Sequence, residues 1–193
     1  DQRGLWALSC FAGSATLGAV ERVLSALGVP TASAVDTIAR LVDRSLISLD
    51  STDGGEVRYR MLDSIRAYAA QRLREAGQAD LAAAAHAGWY AETAAWCDAH
   101  VRSEQQPTCL AVVRAERANT DVALAWSAAH DPQLGVQIAN RFGWTWVVLG
   151  DGTAGAARVR NALADQASAL DRATGLLLAG WLRHVCVDTR SIE

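Results

Sequence analysis

The strongest constraint on this chain is one change of hydrophobic period. Over most of its 193 residues the apolar positions recur at helical spacing, but from Ile47 to Met61 they alternate at the two-residue spacing of a strand. Ile47 and Leu49 alternate with Ser48 and Asp50, and Val57, Tyr59 and Met61 alternate with Glu56, Arg58 and Arg60. Between them lies Ser51-Thr52-Asp53-Gly54-Gly55, a turn cluster in which Asp-Gly is the strongest hairpin signal. A lone hairpin is marginal in water, so this one must pack on the helices around it.

Three helices are expected before the hairpin. Leu5, Leu8 and Phe11 mark the first, with Gly13 able to end it. Thr16 is a good N-cap for the second, whose buried face is Val20, Val23, Leu24 and Leu27, and Gly28-Val29-Pro30 stops it. Ser33 is expected to cap the third, with Asp36 at the capping-box position and Val35, Ile38, Val42 and Leu46 as its apolar stripe. A fourth helix follows the hairpin, capped by Asp63, lined by Ile65, Tyr68, Ala69 and Leu73, and stopped at Gly77. Met61 and Tyr59 are expected to point inward. Three helices, a hairpin and a helix make the order of a winged helix, assigned to residues 1–78.

From Leu81 onward strand signals almost vanish. Alanine supplies much of the 51% hydrophobic content, which favours helix. Gly-Trp occurs at Gly88-Trp89, Gly143-Trp144 and Gly180-Trp181, where seven Trp and fifteen Gly would give about half of one by chance. The last two lie 37 residues apart, close to the period of helical-hairpin repeats. Val147–Asp151 then aligns with His184–Asp188, Ala154 to Leu163 becomes the second helix of a hairpin, and the next such helix begins near Ser191. Residues 79–193 are therefore expected to form a helical linker and a truncated, tetratricopeptide-like array. The fold class is mainly α: a winged helix with one β-hairpin, then α-helical hairpins. Trp144, Trp181 and Leu177 are the candidate interaction surface. Leu176, Leu177, Leu178, Trp181, Leu182 and Val185 give the terminal helix apolar surface on more than one side, so it is expected to fray or to self-associate.

Other classes of partner find little support. A formal net charge of −3 gives no overall field to attract nucleic acid or an anionic membrane. No apolar stretch is long enough to span a bilayer. Cys10, Cys97, Cys109 and Cys186 have no framework spacing, and without a signal peptide reduced thiols in a cytoplasm are expected. The chain opens on Asp1-Gln2-Arg3 and stops at Ser191-Ile192-Glu193, and it reads as a piece of something longer.

The runs Leu41-Val42-Asp43-Arg44-Ser45-Leu46-Ile47 and Tyr59-Arg60-Met61-Leu62-Asp63-Ser64-Ile65-Arg66-Ala67-Tyr68-Ala69 resemble one family. It is the large ATP-binding bacterial transcriptional regulators of the LuxR type, among the signal-transduction ATPases with numerous domains. Ala115–Trp126 is similar to the family's segment before its repeats. The resemblance implies an upstream nucleotide-binding domain as the winged helix's partner. It also implies ATP or ADP in the parent protein, an unidentified protein or small-molecule inducer at the repeats, and DNA contact through a separate domain. In related plant and animal ATPases the winged helix carries a Met-His-Asp motif that senses ADP. The matching positions here are Met61, Leu62 and Asp63, and leucine in place of histidine removes the group that would bond a phosphate.

No catalytic constellation is expected. There is no lysine, hence no phosphate loop of the Gly-x-x-x-x-Gly-Lys-[Ser/Thr] type, and no cofactor is expected in this fragment. Gly150-Asp151-Gly152-Thr153-Ala154-Gly155 matches Gly-x-Gly-x-x-Gly and has Asp171 about twenty residues on, which keeps a dinucleotide-binding enzyme fragment as one alternative. An inter-helix turn is the plainer reading. His86, Cys97, His100 and Cys109 fit no standard zinc spacing and are expected to be packing residues. A DNA-binding winged helix is the other alternative. Its third helix would present Asp36, Thr37, Arg40, Asp43 and Arg44, nearly cancelling in charge, and its wing Asp50, Asp53 and Glu56. Arg58, Arg60 and Arg66 could form a local basic patch, though arginines on a strand's outer face are usually solvated.

Overall fold

The computed structural model describes residues 2–51, 57–163 and 167–188. The chain divides into two compact units, Asp1–Trp89 and Tyr90–Glu193.

The first unit contains α1 (Gln2–Ser9), β1 (Ser14–Thr16), α2 (Leu17–Ala26), α3 (Ala34–Asp43), β2 (Ile47–Ser51), β3 (Val57–Met61), α4 (Asp63–Glu75) and the start of α5 (Ala79–His100). Thr16 caps α2, its side chain accepting from the Ala19 N–H, and Val20, Val23, Leu24 and Leu27 are all buried. α4 is followed by Gly77 at φ +68°, a conformation that suits glycine. The hairpin pairs Ile47 with Met61 and Leu49 with Tyr59. The expected turn at 52–55 lies outside the described residues.

The sheet has three strands rather than two. β1 pairs antiparallel with β3, giving the order β1-β3-β2. Ser-Ala-Thr is too short to display a two-residue period, so only the tertiary pairing reveals it. This third strand changes the fate of Arg58, which is 3% exposed rather than solvated. Its Nε donates to Ser14 Oγ at 2.8 Å and its guanidinium to the Ser14 carbonyl oxygen at 3.0 Å.

Four other local expectations fail. Ser33 makes no side-chain cap bond to α3, because it ends a 3-10 turn over Thr31–Ser33 and is itself near helical geometry. The α3 stripe is rotated: Ala34, Ile38 and Leu41 are buried and Val35 is exposed. Asp63 is the first residue of α4, and Leu62 stands at the N-cap with no capping bond. Along α4, Ala69 and Leu73 are buried, while Tyr68 points outward beneath the Arg72 guanidinium.

The division between the two compact units falls within α5, between Trp89 and Tyr90. The start of α5 belongs to the first unit: His86 packs edge-on against Phe11 at 4.9 Å, and the Trp89 ring lies 2.9 Å from where a Cβ on Gly18 would sit.

The second unit holds the rest of α5, then α6 (Gln106–Ala115), α7 (Arg117–His130), α8 (Pro132–Val148), α9 (Gly152–Ala162) and α10 (Ala169–Asp188). α8 and α9 form a helical hairpin, and α10 packs on both. Tyr90, Cys97, Cys109, Ile138, Phe142 and Leu182 are among its buried side chains. Among the described residues, no helix is long and apolar enough to cross a membrane.

Candidate functional site

Two surfaces carry the candidate residues. The first is the outer face of α3 with the strands beside it. Val35, Asp36, Ala39, Arg40, Asp43 and Arg44 are exposed there. Two acids face two arginines, so the helix offers no net positive charge to a phosphate backbone. Thr37 is buried, its hydroxyl donating to the Ser33 carbonyl at 2.8 Å and accepting from the Arg40 guanidinium at 3.2 Å. The basic patch suggested by Arg58, Arg60 and Arg66 does not assemble. Arg58 is buried against Ser14, and Arg66 pairs with Asp63 at 2.9 Å. Asp50 is exposed on β2, whereas Asp53 and Glu56 lie outside the described residues.

Met61, Leu62 and Asp63 separate into different environments. Met61 is buried beneath the sheet, Leu62 is 66% exposed at the start of α4, and the Asp63 carboxylate accepts from Arg66 one turn on. The middle position of the motif thus faces outward with an isobutyl group that cannot bond a phosphate.

The second surface belongs to α8 and α10. Trp144 and Trp181 meet edge-on at 5.6 Å, and the Arg102 guanidinium lies over the Trp144 ring at 4.6 Å. Leu176, Leu177, Gly180, Trp181 and His184 line an open, mainly apolar groove on α10.

The glycine-rich run is not a dinucleotide loop. The Trp144–Val148 segment before it is the end of α8, so no strand leads into it. Gly150 turns the chain at φ +70°. Gly155 is a packing position, since a Cβ there would lie 3.0 Å from Trp146 Cβ and 3.3 Å from Leu182. Asp151, at the N-cap of α9, makes no side-chain bond to the first turn; its carboxylate accepts from Arg158 at 3.2 Å and from Arg117. Asp171 accepts from Ser168 and Gln133 instead of facing a ribose site. Trp-rich apolar runs read equally as strand or buried helix, which is why the motif matched.

Sequence reading missed two polar clusters of the second unit. Arg158 holds both oxygens of Asp121, at 2.6 and 3.0 Å, and lies over Trp146 at 5.5 Å. Glu116, 3% exposed, accepts from the Tyr90 hydroxyl at 2.6 Å and from Asn119 at 2.9 Å. Tyr90 is 26 residues from Glu116 and Asp121 is 37 from Arg158, too far apart in sequence to read as motifs. The suggested zinc residues are accounted for by packing. His86 lies in the first unit, and burial pulls its pKa down to about 4. In the second unit the His100 ring stacks on Trp96, and Cys97 and Cys109 are buried free thiols, burial pushing Cys97 up to about 12.

Comparison with known proteins agrees with the architecture of the first unit. Residues 5–74 match the winged helix-turn-helix domain family. Three relatives, from Mycobacterium bovis and two strains of Mycobacterium tuberculosis, are named as candidate HTH-type transcriptional regulators. Each is 33% identical to this chain over 120 residues, covering 62% of the chain and 13% of the relative. The matched region is thus a small part of each relative. No solved structure matches the chain. The first unit thus has a winged-helix fold and matches the winged helix-turn-helix domain family over residues 5–74, in a chain similar to proteins named as candidate HTH-type transcriptional regulators.

Proposed function

We propose that this chain is a non-catalytic regulatory and protein-interaction module of an ATP-dependent, LuxR-type transcriptional regulator acting in the cytoplasm. The winged helix packs on an upstream nucleotide-binding domain of the same polypeptide and turns with its ADP or ATP state. The second unit is part of a tetratricopeptide-like array that receives a protein or small-molecule inducer. DNA is read by a separate domain. The observation that carries this reading is the charge-balanced face of α3, with Asp36 and Asp43 against Arg40 and Arg44. Such a surface suits a protein neighbour better than a polyanion. The chain has no lysine for a phosphate loop, so nucleotide must bind elsewhere in the parent.

A second reading, direct DNA binding by the winged helix, is favoured by the strand order β1-β3-β2 and by the helix-turn-helix family matched. Hydrogen exchange on the parent protein tests the first reading. With ADP replaced by a non-hydrolysable ATP analogue, protection of α3 and α4 should change, while the 193-residue chain alone should respond to neither nucleotide. Identical exchange in the parent under both nucleotides would contradict it.

A further inference from the structure

α8 and α10 are one element repeated. α8 begins at Pro132 and α10 at Ala169, the same 37-residue step that relates Gly143 to Gly180 and Trp144 to Trp181. Their first turns are capped alike. Asp131 accepts from the Leu134 N–H at 3.1 Å, and Ser168 Oγ accepts from the Asp171 N–H at 3.1 Å.

One face of α8 is covered by α10. Gln133 Nε2 donates to the Asp171 carboxylate at 2.6 Å, and Asn140 Nδ2 donates to the Asp171 carbonyl oxygen at 2.8 Å. Leu178 fills the notch at Gly143, where an added Cβ would lie 2.7 Å from its Cδ1. Trp144 meets Trp181. Shifted by 37 residues, these four positions become Leu170, Leu177, Gly180 and Trp181 on α10. Leu170, Leu177 and Trp181 are 77%, 76% and 56% exposed. A Cβ on Gly180 would meet no described atom within 4 Å. The seat used on α8 is therefore present again on α10, open, and more apolar, since leucines replace Gln133 and Asn140. A glycine inside an exposed helix carries an entropic cost relative to alanine. At Gly143 that cost is matched by a close helix approach, and Gly180 has the same form without the approach.

We propose that this face of α10 is the docking seat for a helix one repeat further along the parent polypeptide. That helix lies on α10 as α10 lies on α8, with a branched aliphatic side chain in the Gly180 notch between Leu177 and Trp181. The proposal rests on the repeat-array reading above. The curated relatives, of which this chain covers 13%, are long enough to supply such a helix. A second copy of the chain fits less well. The surface needed is the one that α10 turns toward α8, bearing Leu178, and in every copy α8 already engages it.

The test compares the 193-residue chain with the parent polypeptide continued through one more repeat in its natural sequence. Hydrogen exchange over 175–184 and hydroxyl-radical oxidation of Leu177 and Trp181 are measured in both. Continuation should slow exchange at least about tenfold, the change expected from burying one leucine-sized side chain. Gly180→Leu should abolish that gain while leaving the Tm of the 193-residue chain unlowered. Gly143→Leu should lower the Tm of both. If Gly143→Leu lowers neither, the seating of α10 on α8 fails, and the repeat reading with it. If it lowers both, yet α10 exchanges and oxidises alike in the two chains, the repeat reading stands and this proposal is overturned. Protection of Leu177 and Trp181 in a dimer of the 193-residue chain, seen by sedimentation velocity, overturns it in favour of a second copy.

Discussion

Ser45 follows α3 at φ +56°, the described non-glycine residue with positive φ. The Leu46 N–H bonds back to the Leu41 carbonyl at 3.0 Å, closing the helix through a left-handed residue of the kind that glycine usually supplies. Ser45→Gly should therefore raise stability by about 0.5–1 kcal/mol, as the relief of left-handed strain exceeds glycine's entropy cost. A lower urea midpoint in that variant would count against the cap geometry. His86 supplies a pH dependence. Burial penalises the imidazolium and pulls its folded pKa down from the ordinary 6.5 to about 4. Between these values the unfolded chain binds the proton and the folded chain does not. His86 therefore costs nothing above pH 6.5, and its destabilising effect grows as pH falls toward 4. Denaturation at pH 7 and pH 5 should show a loss that is smaller in His86→Leu than in the wild type. An equal loss in both would remove His86 as a cause. Tyr90→Phe removes a hydrogen bond to the buried Glu116 carboxylate and should cost about 1.5–3 kcal/mol, read from urea unfolding.

At the scale of elements, α4 has an unfilled cap. Leu62 has the extended backbone of an N-cap residue, φ −63° and ψ 143°, but no side-chain oxygen to bond the first turn. Leu62→Ser should gain about 1 kcal/mol, whereas Asp63→Ala, which removes only an exposed i,i+3 ion pair, should change stability by under about 0.5 kcal/mol. The reverse ranking in thermal unfolding would restore Asp63 as the cap. This case shows where sequence reading stopped. The existence and order of the helices were legible because their stripes are long: Val20, Val23, Leu24 and Leu27 are all inside. Boundaries were not, because Asp63 serves equally as a cap or as a first-turn acid, and only backbone geometry separates the two. β1 was hidden by its length of three residues, and Arg58 by the strand that covers it. The candidate residues of α8 and α10 were legible because Gly-Trp recurs. The pairs Arg158–Asp121 and Tyr90–Glu116 were not, since each joins residues distant in sequence.

For the whole molecule, the question is what partner suits a winged helix whose α3 face is charge-balanced. Its architecture is that of a winged helix, while charges balance on α3, Arg58 is buried against Ser14 and Arg66 pairs with Asp63. Fold alone does not assign the partner; the surface must. Fluorescence anisotropy of a labelled random-sequence duplex, titrated with the 193-residue chain at 50 and 200 mM salt, addresses that surface directly. We predict no saturable binding tighter than about 10⁻⁴ M at the higher salt, the weak end of non-specific association. A Kd of about 10⁻⁶ M or tighter at that salt, loosening steeply with salt and lost in Arg40→Ala, would contradict the account and make the winged helix itself the DNA reader.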